Sequence, residues 1–428
     1  MRVGLVAVGT ELLAGVVTNA NAAWLGRTFT EAGFDVTRSV AVGDDVDEIA
    51  RTVCDELVVA DAVVLTGGLG PTSDDRTREA LAVAAGVPLQ RDRDLADRLE
   101  SWYAERGRQV PDAARRQADL PQGAVPLENP RGSALGVRVD TDQGVVFALP
   151  GVPREMTEMV ADSVLPTLRT LAGPGAGAVT RTLRTAGAGE SRVATLLGPL
   201  EEDLARDGRD RPEVAVAYLA AAGEVRVQLT ARGPDRDVLD RVLDDVTGRA
   251  RDLLGDLVYG EGEETLDVTV HRLLASRGAT VAVAESLTGG LLGAALTDMP
   301  GSSATFRGGV TAYVTDLKTP LLGVREDLLD RHGPVHPDVA VGMADGVRGR
   351  LQATYGVATT GVAGPDPEGV PVGTVHVAVA GPEGTRAWPC RLHGDRDAIR
   401  RRTVVTALDL LRRTVLGLPD PTDRESAA

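Results

Sequence analysis

Short runs of Val, Leu and Ala alternate with helical patterns over most of this chain, and that alternation limits its fold more than any other feature. "RVGLVAV" (2–8) and "ADAVVLTGG" (60–68) read as buried strands, because they are apolar on both faces. "NAAWLGRTFTEAG" (21–33) and "DVDEIARTVCDELVVA" (45–60) read as helices between and around them. Strand–helix alternation at this spacing predicts an α/β fold with a parallel sheet covered on both faces. At 428 residues the chain exceeds one ordinary core, and the pattern divides it in three. Residues 1–172 form one α/β domain and 180–258 a small α+β unit of strand, helix, two strands and helix. A second α/β domain covers 265–417, from "LDVTVHRLLASRG" to "DRDAIRRRTVVTALDLLRRTVLG". The Gly-rich stretch at 173–178 reads as a flexible break and "PDPTDRESAA" as a disordered tail. No internal repeat relates the first domain to the last.

Composition excludes several classes. No apolar run reaches the length of a membrane span, and "MRVGLVAVGTELL" is too short and Gly-broken for a signal peptide, so a cytoplasmic protein is expected. Cys54 and Cys390 are too few and too far apart for a disulfide framework or metal knuckle. A formal charge of −16 argues against direct nucleic-acid binding. The five histidines show no metal-ligand spacing, which weighs against zinc or a His-based triad.

One basic residue stands apart. Of 46 Lys and Arg residues only Lys318 is lysine. A surface lysine exchanges for arginine at little cost, but a lysine that must lose its proton cannot, because arginine stays charged. The alternative is a solvated loop lysine left by chance. Four segments of the last domain bear on the choice: "AESLTGG" (284–290), "YVTDLK" (313–318), "TTGVAGP" (359–365) and "GDRDAIRR" (394–401). The first places Ser286 where a buried strand gives way to a helix expected near Thr288, beside N–H groups able to hold an oxyanion or phosphate. The plain reading is an N-cap by Ser286 or Thr288. Tyr313 reads otherwise as a strand aromatic, Thr360 as a turn residue, and Arg396 as a solvated side chain beside Asp395 and Asp397.

In the first domain, "TGGLGPTSDDRT" (66–77) joins a strand to a helix. Thr66, Gly67, Gly68 and Gly70 suit a phosphate cradle, with Thr72 and Ser73 as hydroxyl donors. Asp74, Asp75 and, from "VGDDVDE", Asp44 suit a divalent metal. A tight crossover with a capping Asp, and Asp44 as a helix-start acid, are the plain alternatives. Glu11, Asn19 and Asn21 border the same pocket or serve as caps and turns.

Together these segments resemble the CinA family over residues 1–416. The four C-terminal segments are similar, in order, to its nicotinamide mononucleotide (NMN) deamidase domain. "TGGLGPTSDD" and "LPGVPREM" (149–156) are similar to its molybdopterin-binding-like N-terminal domain, a three-layer fold. The resemblance implies that Ser286 attacks the NMN carboxamide, Lys318 accepts its proton, and Tyr313 and Thr360 hydrogen-bond within the site. It implies substrate contacts from Thr288, Gly289, Gly290, Gly361, Gly364 and Arg396, with no cofactor. For the N-terminal domain it implies a pterin or dinucleotide phosphate site and metal-dependent ADP-ribose hydrolysis. A homodimer is expected by the same analogy. Two other readings are a molybdopterin- or ADP-ribose-handling protein with a passenger C-terminal domain, and a non-enzymatic accessory of DNA uptake or recombination. One departure is His336, where relatives commonly carry a small hydroxyl residue after "HGPV"; a difference in helix start is expected there.

Overall fold

The computed structural model describes residues 1–105, 107–173, 177–206 and 212–419. Three residues of the Gly-rich break, and the tail beyond Pro419, lie outside them. The chain forms two compact units, one of Met1–Thr180 with Ala231–Val242, the other of Arg181–Thr230 with Leu243 onward.

The first unit is built on β1 (Arg2–Val8), β2 (Asp35–Val42), β3 (Ala62–Thr66), β4 (Leu89–Arg91), β5 (Asp119–Pro121), β6 (Val125–Leu127), β7 (Gly136–Thr141) and β8 (Gly144–Leu149). The main sheet runs β2-β1-β3-β8-β7-β6, and β4 pairs with β5 separately. β2, β1, β3 and β8 are parallel, whereas β7 and β6 run antiparallel at one edge. Side chains alternate across the sheet. Val3, Leu5, Ala62 and Val64 join a core with Phe29, Phe147 and Met156, while Val6, Val8, Val63 and Leu65 join one with Ile49, Val53 and Leu81. Two apolar faces on one sheet demand helices on both sides, which gives the three layers.

The second unit holds one further sheet whole and most of another. The divided sheet has the order β10-β11-β9-β12, from β9 (Gly177–Ala186), β10 (Glu213–Ala221), β11 (Glu224–Gly233) and β12 (Val258–Glu261). Its strands β9 and β11 each have one end in the first unit. The other runs β14-β13-β15-β16-β17, from β13 (Val281–Glu285), β14 (Phe306–Thr311), β15 (Tyr355–Gly361), β16 (Thr374–Gly381) and β17 (Gly384–Arg391). Here β14, β13 and β15 are parallel and β16 and β17 antiparallel. The segments read from sequence as 180–258 and 265–417 thus lie mainly in this unit, each around its own sheet.

The five-stranded sheet is also two-faced. Val281 and Val283 pack with Leu274, Ile399, Leu408 and Leu411 from the helices Leu266–Ser276 and Arg396–Leu416. Ala282, Ala284, Ala358 and Ala378 pack on the other face with Val339, Met343 and Val347 of the helix Pro337–Arg350. Small residues let that helix sit close. A Cβ on Gly346 would lie 1.8 Å from the Leu322 carbonyl oxygen, a contact no side chain survives. This close layer brings the short helix Lys318–Leu322, and with it Lys318, under the end of β13.

Candidate active site

β13 is buried along its whole length and ends in a carboxylate, Glu285, only 2% exposed. The next residue, Ser286, is half-buried, and its N–H donates to the Thr359 carbonyl at 3.0 Å, which fixes the turn against β15. Gly289 and Gly290 then adopt left-handed φ of +60° and +101°, so the helix starts at Leu291 rather than near Thr288. The delay changes the electrostatics of the turn. Glu285 accepts from the N–H groups of Gly290, Leu292 and Gly293 at 2.9, 3.0 and 2.8 Å. The amides at the start of the helix are therefore satisfied from inside the protein, which leaves the earlier amides of the turn as the ones able to hold an oxyanion or phosphate. Ser286, Gly289 and Leu291 also have acceptors for their N–H groups. In this turn the amides of Leu287 and Thr288 have none among the described residues.

Lys318 is fully buried, and its Nζ donates to Ser286 Oγ at 3.2 Å and to the Ala312 carbonyl at 2.8 Å. Among the described residues no carboxylate forms an ion pair with it. Desolvation without a compensating anion pushes its pKa down from 10.5 to about 8. The direction of the Oγ–Nζ bond thus depends on charge. An ammonium donates to Oγ, but a neutral amine keeps one N–H on Ala312 and turns its lone pair to the Ser286 hydroxyl. The second state is a serine bonded to a base.

The other predicted residues divide. Tyr313 lies beyond the end of β14, is exposed, and its hydroxyl accepts from Arg396 at 2.6 Å. The strand that the alternative reading of Tyr313 requires stops short of it, at Thr311, and Ala312 turns its carbonyl to Lys318. Thr360 is buried and donates to the Pro334 carbonyl at 2.7 Å. Neither Tyr313 nor Thr360 is hydrogen-bonded to the Ser286–Lys318 pair, contrary to their expected place. Thr288 is fully buried, its hydroxyl shared with Thr359 at 2.7 Å. Gly361 is required by packing, since a Cβ there would meet the Thr374 carbonyl oxygen at 2.6 Å. Gly289 is exposed, with no backbone crowding a Cβ placed on it. Arg396 is not paired with its acidic neighbours. Asp395 caps the last helix and Asp397 pairs with Arg401, leaving the guanidinium to Tyr313 and the Gly364 carbonyl.

Two residues absent from the sequence reading complete the turn. Glu285 was signalled only as a charge closing an apolar strand. Arg400, one helical turn beyond Arg396, donates to the carbonyls of Leu287 and Thr288 at 3.0 and 2.8 Å and holds the turn from outside. His336 does start a helix: its Nδ1 accepts from the Asp338 N–H at 3.2 Å, as a small hydroxyl would.

In the first unit a cavity of about 550 Å³ is lined by Thr66, Gly67, Gly68, Gly70, Asp44, Asp74, Asp75, Glu11, Asn19 and Asn21. Thr72 and Ser73 are not in its wall. Gly68 has φ +66°, and a Cβ there would meet Thr77 Oγ1 at 2.2 Å, so the loop conformation itself requires glycine. Buried Arg78 donates to the carbonyls of Leu69 and Gly70 and draws them away from solvent. Asn19 is a helix cap and Asn21 donates to the Gly151 carbonyl. The carboxylates do not make a ready metal site. Asp44 accepts from Thr10 and Asp75 from Thr72, and among the described residues these acids do not converge as three ligands on one point. The group that does converge is His332, His336 and Asp338. This corrects the reading that no histidines have metal-ligand spacing: three residues separate His332 from His336, an interval that zinc sites use, and the turn at Gly333–Pro334 brings the two rings together.

Three family models match this chain. The CinA C-terminal domain model matches residues 263–415, the damage-inducible protein CinA KH domain 180–260, and the probable molybdopterin binding domain 4–170. A CinA-like protein of Frankia casuarinae is 51% identical over 98% of both chains. A putative competence-damage inducible protein of Symbiobacterium thermophilum is 42% identical over 97% of this chain and 99% of its own. Among solved structures, the CinA protein of unknown function from Thermoplasma acidophilum is 36% identical, with 38% of this chain and 95% of that chain covered and a TM-score of 0.36.

Proposed function

This chain belongs to the CinA family, and on that footing we propose that its second unit is an NMN deamidase working through a Ser286–Lys318 dyad. The observation that carries the proposal is the 3.2 Å contact between Ser286 Oγ and a lysine with no exposure and a lowered pKa. A buried, unpaired lysine costs stability, and general-base chemistry is one of few roles arginine cannot fill.

Neutral Lys318 takes the Ser286 proton as Oγ bonds to the carboxamide carbon of NMN. The resulting oxyanion sits at the Leu287 and Thr288 amides, the pair of N–H groups in the turn left open by Glu285. The Lys318 ammonium returns its proton to the departing nitrogen, and ammonia leaves an acyl ester on Ser286. Water adds with Lys318 again as base, releasing nicotinic acid mononucleotide and free Ser286. Arg396, held by Tyr313 and Gly364, is the cation for the substrate phosphate. Tyr313 and Thr360 act as positioning residues, through Arg396 and through the Pro334 loop. No step requires a metal or organic cofactor.

For the first unit the cavity and its glycine loop support binding of a nucleotide or pterin phosphate, and ADP-ribose hydrolysis is the activity to assay there, with divalent cation supplied. The whole is proposed as a cytoplasmic homodimer acting on small nucleotides. No described helix is long and apolar enough to cross a membrane. The direct experiment incubates the full chain with NMN and follows ammonia and nicotinic acid mononucleotide, with ADP-ribose plus Mg²⁺ or Mn²⁺ in parallel. Stoichiometric release of both NMN products supports the reading. Intact NMN after many enzyme equivalents of time and protein would discard it.

A further inference from the structure

We propose that His332, His336 and Asp338 form a binding site for a divalent transition metal of zinc type, beside the deamidase site and separate from its chemistry. His332 ends the helix Glu326–His332, and His336 and Asp338 open the helix Pro337–Arg350. The intervening Gly333 takes φ +72° as the chain reverses, so two residues that would be separated on straight chain face each other. Their rings stack with centroids 4.1 Å apart and planes 17° from parallel. One ligand atom from each of the two imidazoles and from Asp338 lies within 4.8 Å of the others.

Two imidazole nitrogens and one carboxylate oxygen are a donor set for zinc, cobalt or nickel. Magnesium and calcium prefer oxygen alone. Bonds of about 2.0–2.2 Å to a tetrahedral ion need ligand atoms roughly 3.5 Å apart, with each ring's in-plane lone pair aimed at the ion. Closure therefore requires the stacked rings to rotate out of stacking, a movement open to side chains at a half-exposed turn. The fourth position is open to water. His336 Nδ1, which accepts from the Asp338 N–H, is also the nitrogen that lies 3.6 Å from the Asp338 carboxylate.

A third imidazole lies on β16, against which the helix Pro337–Arg350 packs. His376 lies opposite Thr360 in the β15–β16 register, is 8% exposed, and its Nδ1 is buried with no hydrogen-bond partner. The loop that would be pinned contains Pro334, whose carbonyl holds the Thr360 hydroxyl, so metal binding would fix one wall of the region around the dyad.

The test uses the full chain, freed of metal by chelator, and measures bound Zn²⁺ by equilibrium dialysis, with Co²⁺ absorption reporting nitrogen ligation. His336→Ser keeps a good helix cap, and His332→Asn removes the second nitrogen ligand without touching the cap. We expect each variant to bind one equivalent fewer than the parent, or to bind it at least tenfold more weakly. Both should retain the parental circular dichroism and lose the visible Co²⁺ band. Equal stoichiometry and affinity in the parent and both variants would overturn the site, as would a parent that binds no Zn²⁺ at 100-fold excess. Because the readout is metal bound and not turnover, failure here leaves the deamidase reading intact. Failure of that reading likewise leaves this one standing.

Discussion

Replacing Lys318 by methionine separates the energetic cost of the dyad from its chemistry. The pKa of Lys318 falls from 10.5 to about 8 on folding. At 1.36 kcal/mol per pH unit, holding the charged form inside the protein costs about 3 kcal/mol. The sign follows from proton binding. Below pH 8 both the folded and unfolded chains carry the ammonium, and the folded state bears the full cost. Between pH 8 and 10.5 the folded chain has lost the proton that the unfolded chain keeps, so this group makes stability rise with pH. Above 10.5 the cost is gone. Methionine fills similar volume and carries no charge, so it removes this slope. It also leaves the Ala312 carbonyl without its donor, a loss of about 1–3 kcal/mol that does not depend on pH. The decisive quantity is therefore the change in the mutational effect between two pH values. Urea unfolding of parent and Lys318→Met at pH 7.0 and 9.5, followed on the transition of the second unit, should show the variant's relative stability falling by about 2 kcal/mol. With a slope of roughly 2 kcal/mol per molar urea, that is about 1 M in the difference of midpoints. NMN turnover should be absent at both pH values. A mutational effect that is the same at pH 7.0 and 9.5 would refute a desolvated, readily neutralised lysine.

Two further substitutions address the rest of the site. Ser286→Ala should lower NMN turnover by roughly 10⁴-fold or more while calorimetric NMN binding changes by only a few-fold; turnover above about 1% of parent would remove Ser286 as nucleophile. Arg396→Ala should raise KM for NMN at least about tenfold with little change in kcat, because a phosphate contact remote from the carboxamide binds ground and transition states alike. Equal loss with a substrate lacking the phosphate would assign Arg396 a structural role instead.

The layers of both α/β units could be read from the chain because their strands are apolar on both faces, and period-two alternation places Val281 and Val283 against one core and Ala282 and Ala284 against another. The dyad was legible for a different reason. A lone lysine among arginines singled out one position as able to lose a proton where arginine could not, and the fold put it 3.2 Å from Ser286. What could not be read depended on turns. Two glycines with left-handed φ delay the helix after Ser286, and only then can Glu285 reach three of its amides. Tyr313 looked like a strand residue until Ala312 turned its carbonyl to Lys318. The pairing of His332 with His336 needed the chain reversal at Gly333, since the two lie on different helices and share no periodic face. Acid spacing put Asp44, Asp74 and Asp75 in one cavity wall, where one oxygen of Asp44 and one of Asp75 accept from threonines.

The pH dependence of kcat/KM for NMN tests the dyad most directly, because it reports the free enzyme's essential base. With Lys318 titrating at about 8, the rate constant should climb nearly tenfold per unit from pH 6.5 to 7.5 and level off above 8. A profile that is flat from pH 6.5 to 9 would contradict proton acceptance by a buried amine.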